Sequence, residues 1–286
     1  MIRWGDVLQK TIDSEDFLKE INTNGFWKCE TSVKKYARNL YEDGTEFDMR
    51  GTSADYVSID FMSKQPKILT DKGYYILRTG GGRFIILDET KFDSSYLDLS
   101  ISDSIPLETK EDPEFPELYK VFRKDVNDKS KQENSALEFP NALGCYGLLI
   151  KELFGNVKWY VGPRGLKHSQ FRTYGKKPND GIKLLYDYNG PEELDYTIWT
   201  KDCILLFEAK VVDHVNEGLD IGWHKMAYPA ARFSKINNYT IKPIYFLRCK
   251  NIIHLFVFPK FQFHNDGIII NDKKNQIPEK IFRIDL

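Results

Sequence analysis

Asp195, Glu208 and Lys210 stand out because a single strand pairing would bring them together. The runs 193–200 (ELDYTIWT) and 203–210 (CILLFEAK) read as two strands joined by a tight turn at Lys201-Asp202. If Thr200 faces Cys203, then Ile198 faces Leu205, Tyr196 faces Phe207, Leu194 faces Ala209 and Asp195 faces Glu208. Directly opposed residues hold their β-carbons ~4.5–5.5 Å apart. One face of the pair is then apolar or aromatic and belongs against a helix. The other face ends in Asp195, Glu208 and, two residues on, Lys210. Two carboxylates that close repel unless something cationic lies between them. Mg²⁺ takes hard oxygen ligands and keeps room for waters and substrate phosphates. Such an ion would polarise a phosphoryl oxygen and lower the pKa of water. An amine on the same face could orient the nucleophile or stabilise developing negative charge. The plainer alternative is a surface ion pair at a strand end. The apolar run CILLF leading into these charges argues against it.

The flanking sequence supplies elements that could position these groups. Residues 136–154 (ALEFPNALGCYGLLIKELF) form an apolar helical stretch, broken or started near Pro140 and stopped by Gly155-Asn156. VKWYV at 157–161 reads as a strand, and 162–192 as a polar, basic, Gly/Pro-containing insertion. A helix over about 220–235 and strands at 241–248 (IKPIYFLR) and 252–258 (IIHLFVF) complete the region. The order is α-β-β-β-α-β-β, which predicts an α/β protein with a mixed sheet flanked by helices. Before it, Ser14 or Asp13 caps a helix that ends at Asn24-Gly25, and a second helical pattern runs through 30–42. The runs 73–79 and 83–88 predict a hairpin around Gly80-Gly81-Gly82. A strand rather than a helix follows these glycines, so they are no phosphate-binding loop. Arg78 and Arg83 flank that turn as candidate contacts for an anionic ligand. The acidic, Pro-punctuated segment 100–134 reads as a linker. The expected division is an N-terminal α+β domain at 1–125 and a second domain at 126–286, in keeping with ~150 residues per domain.

The chain has 286 residues with 41 bases and 42 acids, a formal charge of −1, which excludes a polycation binding nucleic acid by bulk charge. The distribution is uneven. Residues 88–117 carry ten acids and two bases, whereas 162–177 carry five bases and no acid. Arg164, Lys167, His168, Arg172, Lys176 and Lys177 alternate there with Phe171 and Tyr174, a composition suited to phosphate and base-edge contacts. Lys225 and Arg232 add cations on the later helix. Cys29, Cys145, Cys203 and Cys249 lie far apart, which argues against a zinc site or a disulfide scaffold. His214, His254 and His264 lack metal-ligand spacing. No run of ~18 apolar residues occurs and the N-terminus lacks a signal-peptide core, so an intracellular, cytoplasmic protein of prokaryotic type with no membrane contact is expected.

Asp195…Glu208-Ala209-Lys210 resembles the signature of the PD-(D/E)XK nuclease superfamily, the fold of many type II restriction endonucleases and of some repair and recombination nucleases. The resemblance covers roughly 136–258, a little under half of the chain. Leu194 stands where the literal pattern has proline. The resemblance implies a restriction-endonuclease-like αβββαβ core. It also implies Mg²⁺-dependent phosphodiester hydrolysis with one or two ions per site, held by Asp195 and Glu208, with Lys210 as the catalytic lysine. An additional acid on the preceding helix would be Glu138, or else Glu152. His224 and Tyr228, spaced i, i+4, resemble a variant of the Gln-x-x-x-Tyr pair of some relatives.

These readings together predict a site-specific endonuclease acting on double-stranded DNA. A dedicated extra domain and an insertion suit a self-contained restriction enzyme, with the N-terminal domain serving target recognition or dimerisation. Cutting both strands calls for two sites and hence a homodimer. The competing expectations are a repair or mobile-element nuclease, a catalytically inactive DNA-binding module, and an α/β protein whose D…ExK residues are only an ion-pair network.

Overall fold

A computed structural model describes the chain except for residues 43–44, 127–131, 179–180 and 237. The N-terminal part opens with α1 (Trp4–Ile12) and α2 (Glu15–Asn24). Ser14 caps α2 by accepting a hydrogen bond from Phe17 N–H at 3.2 Å, and Gly25, at φ 82°, closes it. Then come β1 (Phe26–Cys29), α3 (Val33–Leu40) and α4 (Lys67–Thr70). The predicted hairpin is realised as β2 (Tyr74–Gly80) and β3 (Arg83–Asp88). These strands form an antiparallel sheet in the order β1-β3-β2. Both of its faces are buried. Ile76, Phe84 and Ile86 face the helices with Leu8, Phe17 and Val33, whereas Tyr75, Leu77, Ile85 and Leu87 face the rest of the chain. That second core continues through Leu185, Tyr188, Met226 and Tyr245, so a single apolar body joins the N- and C-terminal halves.

The segment expected to be a linker carries structure. It holds β4 (Ile105–Pro106) and α5 (Pro116–Val126), and α6 (Gln132–Ala142) begins at its end. Pro116 opens α5, where its missing N–H costs nothing. Phe122 of α5 stacks on Phe139 of α6 at 5.8 Å. Proline here starts a helix instead of marking a loop. The helix α7 (Cys145–Phe154) follows, separated from α6 by Gly144 at φ 72°.

The remaining strands are β5 (Tyr160–Val161), β6 (Gly165–Lys177), β7 (Gly181–Leu194), β8 (Tyr196–Trp199) and β9 (Cys203–Val212). A short helix, α8 (His224–Ala230), leads through a 3₁₀ turn to β10 (Thr240–Cys249) and β11 (Ile252–Val257). The strands β12 (Phe263–His264), β13 (Gly267–Ile269) and β14 (Lys280–Asp285) end the chain. The large sheet has the order β4-β14-β11-β10-β9-β8-β5, with β9 and β10 parallel across the α8 crossover and β8, β9 antiparallel. The protein is thus a mixed α/β structure. Helices α6 and α7 cover the face of β9 formed by Cys203, Leu205, Phe207 and Ala209, while Ile204 and Leu206 join the core that holds α8.

Residues 162–192 are not an irregular insertion. They form most of the long antiparallel hairpin β6–β7, which makes a second sheet with β12 and β13. Tyr186, Tyr188, Gly190, Glu192 and Leu194 are buried and the residues between them exposed, a strand alternation. Gly190 and Glu192 occupy two of the buried positions, so hydrophobicity alone does not reveal the pattern. The hairpin docks tightly on β2. A Cβ on Gly80, whose φ is 94°, would lie 2.1 Å from the Asn189 carbonyl oxygen. Gly80→Ala is therefore expected to cost at least ~2 kcal/mol and to lower Tm by about 5 °C or more. Gly81→Ala, which meets no atom closer than 3.8 Å, should cost only the ~1 kcal/mol of a left-handed backbone. Thermal melts of the two variants check the difference.

Candidate active site

The β8–β9 register is the one expected from sequence. Tyr196 pairs with Phe207, Thr197 with Leu206, Ile198 with Leu205 and Trp199 with Ile204. Thr200 N–H donates to the Cys203 carbonyl at 2.8 Å and closes the turn. Asp195 lies one residue outside β8, where the chain leaves the β6–β7 sheet and enters the large one. Its Oδ2 accepts a hydrogen bond from Ala209 N–H at 2.7 Å, which fixes it across from Glu208. Leu194 differs from expectation. It belongs to the core that holds Ile204 and Leu206, not to the one that holds Ala209, because the change of sheet reorients the chain just before Asp195.

Glu208 is 3% exposed. Its Oε1 lies 3.0 Å from Lys210 Nζ and 3.7 Å from Lys225 Nζ. Lys210 Nζ also lies 3.4 Å from Asp60 Oδ2 and 3.6 Å from Glu133 Oε1. Lys225 Nζ reaches Asp60 Oδ1 at 3.2 Å. Asp60 arrives from the N-terminal half on a short extended segment. Its carbonyl accepts from Gly222 N–H at 2.7 Å, and the neighbouring Phe61 bridges Ile221. Four carboxylates and two ammoniums thus converge at the C-terminal end of β9.

Unequal charge numbers set the electrostatics. Burial, reinforced by Glu208, pushes the Asp195 carboxyl up to about 7. Burial works against the Lys210 ammonium, but Glu208, Asp60, Glu133 and Asp195 outweigh it and hold its pKa well above the ordinary value. Lys225 is raised in the same way: burial opposes, and Glu208 and Asp60 prevail. Burial would raise Asp60, yet the Lys225 and Lys210 ammoniums keep it below the usual carboxylate range. The carboxyl groups outnumber the ammoniums even with Asp195 left out, and its ionisation widens the excess.

That excess makes Asp195 and Glu208 suited to a divalent cation. The hydrogen bond and ion pairs described reach Asp195 through Oδ2 and Glu208 through Oε1. Two carboxylates brought side by side match the way Mg²⁺ is held by one or two carboxylates, with waters and phosphate oxygens completing its shell. Among the described residues no set of three or more His, Cys, Asp or Glu side chains forms a ready-made cage. A cleft of about 60 Å³ opens beside the cluster, lined by Asp60, Lys225, His224, Tyr228, Arg78 and Glu193.

Comparison with family models, with curated proteins and with solved structures gave no match. Among the described residues no helix is long and apolar enough to cross a membrane.

The other residues named from sequence are dispersed. Glu138 forms an ion pair with Arg164, and Glu152 is exposed on α7 with its carbonyl accepting from Lys280 Nζ at 3.4 Å. Glu133, one and a half turns before Glu138, is the acid of α6 that reaches Lys210. Lys225, a candidate phosphate contact from sequence, joins the cluster. His224 and Tyr228 are buried beside it with ring centroids 5.5 Å apart. Burial, with the Lys225 ammonium next, pushes the His224 imidazole down to about 3, so it is neutral. The Tyr228 hydroxyl hydrogen-bonds Tyr186 and donates to the Arg78 carbonyl at 3.0 Å. Arg172 pairs with Asp266 at 3.4 Å, Lys176 with Asp272 at 3.1 Å, and Lys177 lies over the Phe92 ring at 5.7 Å. Lys167 and His168 are exposed on β6. Arg78 binds Tyr188 and the Pro191 carbonyl, bracing the hairpin, and Arg83 donates to the Gly80 carbonyl. Asp60 and Glu133 were not expected at the site.

Proposed function

We propose that this protein is a Mg²⁺-dependent DNA endonuclease of the type II restriction kind, acting on double-stranded DNA as a homodimer. The observation that carries the proposal is the joining of Asp195, Glu208 and Lys210 at one strand end, with Asp195 raised to about 7 by burial beside Glu208. The element order α7-β5-β8-β9-α8-β10, with β9 and β10 parallel, supports the αβββαβ core that the PD-(D/E)XK resemblance implies. Asp195 and Glu208 would hold the cation through their carboxylate oxygens. Bound there, it would supply Lewis-acid polarisation of a phosphoryl oxygen. The Lys210 ammonium, fixed by Glu208, would face the scissile phosphate and stabilise its growing negative charge. Asp60 and Glu133 hold that ammonium in place. Water adds its oxygen to phosphorus, one P–O ester bond breaks, and the departing alcohol takes up a proton.

One observation favours a second reading. Glu208 Oε1 is engaged by two ammoniums, and such a network is complete without a metal. A DNA-binding module with an inactive core would look this way. Incubation with phage DNA separates the readings. Discrete fragments in Mg²⁺ that vanish in EDTA and with Glu208→Gln are the expected result. A smear would make the protein a non-specific nuclease. Retarded but intact DNA in Mg²⁺ would establish the binding module, and the absence of any interaction at low salt, where phosphate contacts are strongest, would remove both.

A further inference from the structure

The hairpin β6–β7 presents one wholly exposed face. Its opposed pairs are Arg172 with Asp187, Gln170 with Asn189, His168 with Pro191 and Leu166 with Glu193. The other face is anchored. Phe171 stacks on Tyr188 at 4.7 Å, and Ser169 donates to Glu192 Oε1 at 2.9 Å. Glu192 forms a buried ion pair with Arg232, whose Nη2 donates to the Gly165 carbonyl at 2.7 Å. The ribbon is therefore anchored through this face, which leaves the side chains of the other face directed outward.

The geometry points to this face as a base-reading surface that enters the DNA major groove, with the opposed amides of Gln170 and Asn189 recognising adenine. The inference rests on DNA being the ligand, as proposed above. A two-stranded ribbon fits the ~12 Å major groove, and Asn or Gln pairs bidentately with adenine N6 and N7. No hydrogen bond ties up either amide among the described residues. The row also mixes charge and polarity. Arg172 stands beside Asp187, and Glu193 lies further along, so it offers donors and acceptors together. A phosphate-binding surface would be cationic throughout; base edges call for both kinds of group. Exposed Lys167 and Lys235 border the groove of about 640 Å³ beside the ribbon and suit the flanking phosphates. The ribbon runs directly into Asp195. Five residues separate Asn189 from Asp195, and the six residue steps reach at most ~20 Å. At ~3.4 Å per base pair, the adenines read lie within about six base pairs of the cut.

A binding selection tests this without requiring cleavage. Wild type, Gln170→Ala and Asn189→Ala are each used to retain duplexes from a randomised pool in EDTA at low salt, and the retained DNA is sequenced. Both side chains are exposed, so the variants should melt with wild type. Wild type is expected to enrich adenine at fixed positions, and each variant to lose about 10-fold discrimination at one of them. Retention without base preference by wild type, or an unchanged preference in both variants, overturns the inference. So does a change in subunit number in the variants with the preference intact, which would make the face a contact between copies of the chain. A wild type that selects a sequence but leaves it uncut in Mg²⁺ overturns the nuclease reading alone. A pool from which nothing is retained overturns both.

Discussion

Lys210→Met is expected to slow DNA cleavage by about 10³-fold or more, the scale seen when one preorganised charge-stabilising group is lost. Its ammonium sits 3.0 Å from Glu208 and within 3.6 Å of Asp60 and Glu133. Removing it deletes the cation nearest the proposed scissile phosphate. It also removes one of the two ammoniums that pair with Glu208 and Asp60, which costs part of the about 3–5 kcal/mol lost when a buried ion pair is broken outright. The two losses must be separated. Lys210→Arg keeps the charge and most of the stability, but its planar fork cannot place a point charge where the ammonium sits. Cleavage rates measured alongside urea unfolding midpoints should show Met unstable and inactive, and Arg stable and slow. A folded Lys210→Met protein that cuts at the wild-type rate would remove Lys210 from the chemistry.

Asp195→Asn is expected to make the protein more stable, in a pH-dependent way. The carboxyl is raised from 3.8 to about 7 in the folded chain, so the fold disfavours its ionised form. The resulting contribution is fully present below the unfolded value near 4 and is lost as pH rises through about 7. At pH 8 the ionised Asp195 carries a penalty on the order of 4 kcal/mol. Asparagine never ionises, and its amide oxygen can still accept from Ala209 N–H. The variant should exceed wild type by up to that amount at pH 8, and the gap should shrink as pH falls from about 7 and close near 4. Millimolar Mg²⁺ should narrow the gap at pH 8, because the cation supplies the missing counter-charge to wild type alone. Urea unfolding at pH 4 to 8, with and without Mg²⁺, measures both effects. A variant less stable than wild type at pH 8 would show that the carboxylate is stabilised in the fold.

The heart of the site could be read from sequence because it is local. The Thr200–Cys203 turn sets the pairing, and from there strand alternation dictates that Asp195 and Glu208 oppose and that Lys210 shares the face of Glu208. Other parts depend on tertiary packing. Asp60 lies far away in the chain, and what brings it in is a backbone contact between its carbonyl and Gly222 N–H. Nothing in its neighbours VSIDF announces that contact. Glu133 and Glu138 are five residues apart, which turns them about 140° from each other around a helix. Helical periodicity separates the two faces, but only the docking of α6 decides which one meets Lys210. The hairpin was hidden differently. Its buried face includes Gly190 and Glu192, so the period-2 signal is interrupted where backbone approach and an ion pair replace apolar packing.

The passage from one sheet to the other falls at Asp195 itself. Covalently, the ribbon and the large sheet are joined there by the backbone of one residue, between Leu194 and Tyr196. Any twist imposed on the ribbon by a bound object is transmitted along the chain to this joint. The joint carries the carboxyl whose charge state is the most delicately poised of the cluster. A mechanical misfit many ångströms away would thus register as a small displacement of one oxygen of the proposed cation site, and Mg²⁺, with its strict octahedral geometry, would tolerate such displacement poorly.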